Sequence, residues 1–165
     1  EAGKFYNITL NYDPGYTEVS EGNYTVNNEK GLKNLAELVN NGATDINITL
    51  TGDINLTGEW TPIGNYEQKY TGTFDGNGKT ITGLTFNQQE TNNVGLIGRL
   101  GENGIVRDVK LDKVNIKANN NVGGIVGGNN GGSIIGCSVS GDISGVLQVG
   151  GVVGYLGIKS EAKRS

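Results

Sequence analysis

Between residues 94 and 154 the chain repeats itself. Val94-Gly95-Leu96-Ile97-Gly98 returns as Val122-Gly123-Gly124-Ile125-Val126-Gly127 and again as Val149-Gly150-Gly151-Val152-Val153-Gly154, with the first valines 28 and then 27 residues apart. A second apolar stretch follows the first two copies, Gly104-Ile105-Val106-Arg107-Asp108-Val109 and then Gly132-Ser133-Ile134-Ile135-Gly136-Cys137. Third strands such as Val114-Asn115-Ile116 and Asp142-Ile143-Ser144 complete the unit. No single unit of this size can bury its own apolar residues. Stacking successive units at ~4.8 Å makes one continuous interior and satisfies the backbone groups between them. Valine and isoleucine suit the pleated inner surface, and glycine recurs where corners need unusual angles or close approach. A period of 27–28 residues shared among three strands and three turns predicts a three-faced coil. Leucine-rich and helical solenoids of similar period are excluded because their patterns are absent.

The rest of the chain agrees with this architecture. Residues 1–26 read as an extended or hairpin segment, with Ile8, Leu10 and Tyr12 alternating before the turn Asp13-Pro14-Gly15. Residues 27–45 change period: Leu32, Leu35, Leu38 and Val39 fall at helical spacing behind Asn27-Asn28, and Asn41-Gly42 supplies a stop, which predicts a helix over 28–41 capping the solenoid. From residue 46 to 158 short β segments follow one another, with repeats near 94–121, 122–148 and 149–158. Residues 159–165 form a polar tail, expected either to shield the last coil's edge with charge or to lead into more protein.

Composition narrows the function. Of 165 residues, 29 are glycine and 22 asparagine, the two that best tolerate left-handed backbone. With 13 Lys+Arg scattered singly and a net charge of −4, no basic stripe exists to neutralise phosphates, so nucleic acid is not an expected partner. There is no histidine, and Cys137 is the sole cysteine, which removes a Ser–His–Asp triad, a Cys–His nucleophile, a histidine zinc site and any internal disulfide. Cys137 reads as a small core residue. No apolar run approaches the ~20 residues of a membrane-spanning helix. The sequence starts at Glu1 and contains no methionine, so it is expected to come from a longer precursor.

Two stretches, Val122-Gly123-Gly124-Ile125-Val126-Gly127 and Val149-Gly150-Gly151-Val152-Val153-Gly154, resemble the GLUG repeat of bacterial surface proteins. Upstream, Asp53-Ile54-Asn55-Leu56, Trp60-Thr61-Pro62-Ile63-Gly64 and Gly72-Thr73-Phe74-Asp75-Gly76-Asn77-Gly78 look like the leader that commonly precedes such repeats. The resemblance covers about residues 27–157. It implies an all-β fold, a short right-handed parallel β-helix, in a secreted or surface-anchored bacterial protein. Such repeats occur in adhesin-like proteins and lipoproteins of gut Bacteroidetes and in accessory regions of some extracellular peptidases. It supplies no catalytic residues and no cofactor.

Each candidate site competes with a structural role. Asp75-Gly76-Asn77-Gly78-Lys79 has the spacing of a calcium loop but lacks its further acidic ligand, so a tight turn is expected there and no metal. Asp75, Asp108, Asp112 and Asp142 occur singly rather than as the facing pair a glycosidase needs, and no acidic cluster accompanies Arg99 or Arg107. Trp60 is expected to cover the junction of helix and first coils. Tyr66 and Tyr70, in a polar stretch interrupting the repeat, are the candidate ligand-binding residues. The expectation is therefore a non-enzymatic extracellular module, adhesin-like or structural, monomeric, without cofactor or transmembrane segment, whose partner is a host or bacterial surface glycan or protein. The alternatives are a carbohydrate-active β-helix or accessory domain of a secreted hydrolase, and a self-assembling surface subunit.

Overall fold

The computed structural model describes residues 12–157 and the backbone of 161–163; the expectations for 1–11 and for the rest of the tail lie outside the described residues. The fold is a β-solenoid of about five turns with one short helix. Strands β1 (Tyr16–Ser20) and β2 (Asn23–Val26) form an antiparallel hairpin, and β2 pairs in parallel with β3 (Asn47–Leu50), so the hairpin is the first layer of the solenoid. Helix α1 (Glu29–Asn40) connects β2 to β3. The Asn28 side chain caps it by accepting from Gly31 N at 2.8 Å, and it also donates to Gly15 O, tying the helix to the preceding turn. Leu32, Leu35, Ala36 and Val39 bury the inner face of α1 in the solenoid's apolar cluster.

The coils follow in register. Along one face β3 pairs with β5 (Thr73–Asp75), β5 with β9 (Ile105–Arg107), β9 with β13 (Ser133–Ile135), and β13 with β17 (Glu161–Lys163), all parallel. Inward side chains form a ladder of Ile48, Phe74, Val106 and Ile134, none of which is exposed. A second face holds β4 (Ile54–Asn55), β6 (Thr80–Thr82), β7 (Thr85–Asn87), β10 (Lys110–Lys117) and β14 (Ser138–Ser144). Here β10 pairs with β6 through residues 110–112 and with β7 through 115–117, so two short strands of one coil become one kinked strand of the next. The kink carries left-handed backbone at Gly83, Lys113 and Gly141. The remaining wall consists of β8 (Ile97–Leu100), β12 (Val126–Asn129) and β16 (Val153–Leu156), preceded at the corner by the pair β11 (Asn120–Val122) and β15 (Leu147–Val149). The three-faced expectation thus becomes a coil whose repeat motif bends into a corner strand and a wall strand.

That bend explains the last glycine of the repeated motif. A Cβ on Gly127 would lie 2.5 Å from Val94 N, and one on Gly154 would lie 2.4 Å from Val122 N. The wall strand presses against the corner of the preceding coil too closely for any side chain. Side chains also tie coil to coil: Asp53 accepts from Thr80 N, Glu59 from Asn87 N, Asn92 from Asn120 N, and Ser140 Oγ donates to Asp112.

Several single residues resolve as read. Trp60 is 1 % exposed, belongs to the same apolar cluster as the inner face of α1, and donates from Nε1 to Leu96 O of the next coil at 3.2 Å. Cys137 is buried, and burial pushes its thiol pKa up. At the last coil the interior opens: Leu111 and Ile116 are buried, whereas their partners one coil on, Val139 and Ile143, are half-buried, and Leu156 is 51 % exposed.

Candidate functional site

Between Ile63 and Tyr70 a coil departs from the wall in a loop over residues 64–70. Bridges Ile63↔Ile97 and Tyr70↔Leu100 bracket seven steps on this coil and three on the next, so four extra residues must leave the surface. Asn65 shapes the excursion: its Oδ1 accepts from Glu67 N and Gln68 N at 3.0 and 2.9 Å, and its own N–H donates to Gln68 O. The loop therefore projects Tyr66, 69 % exposed, while the chain re-enters the wall at Tyr70.

Tyr70 is fully buried. Its hydroxyl donates to Ile46 O at 2.8 Å, its N–H donates to Arg99 O, and burial pushes the phenol pKa up. The expectation that Tyr66 and Tyr70 act together at a surface is corrected: Tyr66 stands in solvent, and Tyr70 is a core residue on the ladder above Leu100. The cause is the loop's return into register, where an aromatic ring fills the interior.

Beneath Tyr66 lies Arg99, on the outer side of β8 and 8 % exposed. It stands in register with Gly128, and its side chain crosses that glycine so closely that a Cβ there would sit 2.7 Å from Nη1. Nη1 donates to Asn93 Oδ1 at 3.2 Å, and the same oxygen accepts from Asn121 Nδ2 at 2.9 Å. Asn93 and Asn121 both hold left-handed backbone, at φ 61° and 55°. Arg99 Nε is buried without a partner, and among the described residues no carboxylate lies within 4.0 Å of this guanidinium. The Tyr66 ring stands 5.5 Å from Arg99 Cζ and 5.2 Å from Lys69 Nζ, so two cations attend one exposed aromatic ring.

Elsewhere several outward carboxylates are engaged locally. Asp75 pairs with Arg107 at 2.9 Å and its other oxygen accepts from Asn77 N, making the Asp75–Lys79 stretch a turn with Asn77 and Gly78 left-handed. Asp75, Asn77, Arg107, Asp108 and Lys110 line a shallow polar groove at that corner.

Reasoning from sequence missed the part Arg99 plays. The signal was present: Gly98-Arg99-Leu100 aligns with Gly127-Gly128-Asn129, so a long cation faces a bare glycine on the neighbouring coil.

A family model described as the GLUG motif matches residues 118–144, which in this structure run from the Ala118 corner through β11, β12 and β13 to the end of β14, one circuit of the coil. Halomucin of Haloquadratum walsbyi is 34 % identical over 126 residues, 67 % of this chain and 1 % of halomucin. A putative Gly-rich membrane protein of Evansella cellulosilytica is 34 % identical over 98 residues, 55 % of this chain and 11 % of that protein. The chain thus spans a small part of either relative. No solved structure matches it.

Proposed function

We propose that this GLUG-bearing β-solenoid is a non-enzymatic module displayed outside the cell, one that binds a surface glycan through the ledge built by Tyr66. The carrying observation is that ledge: a 69 % exposed tyrosine held out by the Asn65 turn, with Arg99 and Lys69 against its ring. Exposed aromatic faces beside hydrogen-bonding groups suit the apolar face and hydroxyls of a sugar ring. Display outside the cell is supported by the motif and by a relative named as a membrane protein. No helix among the described residues is long and apolar enough to cross a membrane. A non-enzymatic role is supported by four carboxylates that serve the coil: Asp53 and Glu59 accept backbone N–H groups of the next layer, Asp75 pairs with Arg107, and Asp112 accepts from Ser140. The match to a small share of two longer proteins supports a role as one module of a larger one.

The test is an array of neutral and acidic glycans and matrix proteins probed with the purified chain and with Tyr66→Ala. Saturable binding to a glycan class, weakened about tenfold in the variant, equivalent to about 1.4 kcal/mol, supports the reading. Binding that is unaltered by Tyr66→Ala, or confined to proteins, overturns it.

A further inference from the structure

Arg99 is the cation of this surface least well provided for. The residue is 8 % exposed, yet among the described residues the only hydrogen bond of its guanidinium runs from Nη1 to a neutral amide, Asn93 Oδ1. Arg107, on the opposite side of the coil, is half-exposed and grips Asp75 through Nε and Nη2 at 3.0 and 2.9 Å. Arg99 keeps that same edge, Nε with Nη2, without a protein partner. Buried charges are otherwise paired, because removing a charge from water without a partner is costly. The side edge of a guanidinium presents two parallel N–H groups spaced for the two oxygens of a carboxylate or sulfate.

From this we infer that Arg99 is an oxyanion subsite, and that the glycan bound at the Tyr66 ledge is an acidic one whose carboxylate or sulfate docks on the Nε–Nη2 edge. The inference rests on the glycan-binding reading above and adds the ligand's charge to it. Gly128 gives the guanidinium a flat backbone floor, Asn93 fixes its rotation, and Lys69 adds a second positive charge at the rim. Nε is covered in this structure and the Tyr66 ring stands 5.5 Å from Cζ; in this reading the anion enters as Tyr66 swings aside, a rotation open to an exposed side chain on the ps–ns scale. The ring that leaves Arg99 then lies beside the sugar carrying the anion, which is why a glycan fits this site better than an acidic peptide.

The experiment measures binding of the whole chain to polygalacturonate and its methyl ester, to dextran sulfate and dextran, and to poly-glutamate, at low and moderate salt. The inference predicts that a charged polysaccharide binds at least tenfold more tightly than its neutral counterpart, that the preference shrinks with salt, and that Arg99→Gln abolishes it while Arg99→Lys keeps part. Whether polygalacturonate or dextran sulfate is preferred identifies the anion as carboxylate or sulfate. A preference unchanged in Arg99→Gln, with Tyr66→Ala weakening every glycan equally, overturns the subsite and leaves the ledge standing. Absence of binding to all of the polysaccharides overturns both. Poly-glutamate binding as tightly as polygalacturonate overturns the assignment to glycans. If Arg99→Gln fails to fold, the Arg99 Nε–H resonance of the unaltered chain decides: a shift on adding galacturonate or sulfate supports the subsite, and a stationary resonance overturns it.

Discussion

Replacing Tyr70 by phenylalanine separates the two tyrosines that the sequence places side by side. The ring is fully buried and its hydroxyl donates to Ile46 O at 2.8 Å, so Tyr70→Phe keeps the packing and leaves a buried carbonyl short of a partner. The cost at neutral pH is about 1–2 kcal/mol. A second consequence appears at high pH. Burial raises the folded phenol pKa above its ordinary 10.0, so the folded state holds the proton after the unfolded chain has released it. The contribution is fully present below pH 10 and is lost as pH rises, at up to about 1.4 kcal/mol per pH unit. Tyr70→Phe has no such proton. Urea unfolding of both proteins between pH 8 and 11 should therefore show a gap of about 1–2 kcal/mol at pH 8 that narrows above pH 10. Cys137, whose thiol is also raised by burial, contributes a similar slope to both proteins and cancels in the difference. A difference that stays constant across pH 10, or a neutral-pH cost below 0.5 kcal/mol on the same scale, would refute the placement of Tyr70 in the core.

Other consequences are as direct. Gly127→Ala forces a Cβ to within 2.5 Å of Val94 N and should destabilise the coil by about 2–3 kcal/mol in the same urea assay, against near-neutrality for an alanine at Gly151, where a Cβ meets open space. Asn28→Ala removes both the cap on Gly31 N and the tie to Gly15 O and should cost about 1–2 kcal/mol, read as a lower thermal midpoint. Cys137 should react with a thiol reagent only after denaturation, since it is buried and its thiolate is disfavoured.

What the sequence made legible were the features that stacking enforces. The valine-glycine motif at 94, 122 and 149 is visible because like residues must sit on like, and residues 94, 122 and 149 do stack in the corner. The α1 stripe was legible because helical and strand periods differ. Less was visible where the register changes. Successive ladder positions on the first face are 26, 32 and 28 residues apart from Ile48 through Ile134, and the longest interval includes the wider Asp75–Lys79 turn. The kink at Lys113 needs a left-handed residue that nothing in its side chain announces. Tyr66 and Tyr70 look alike in a polar stretch, and only the bridges on either side determine which of them re-enters the interior. The repeat shows its own period but not which neighbour a side chain will meet, and so Arg99 over Gly128 became clear only from the coil-to-coil register.

The central claim is that an exposed ledge at Tyr66, and not the buried Tyr70, carries recognition. The most direct measurement is the dissociation constant of the chain for whichever glycan the array selects, set beside those of Tyr66→Ala and Tyr70→Phe, each checked for a native spectrum. The account predicts about tenfold weaker binding for Tyr66→Ala, or about 1.4 kcal/mol, and unchanged binding for Tyr70→Phe. Equal loss in both variants, or loss in Tyr70→Phe alone, would contradict it.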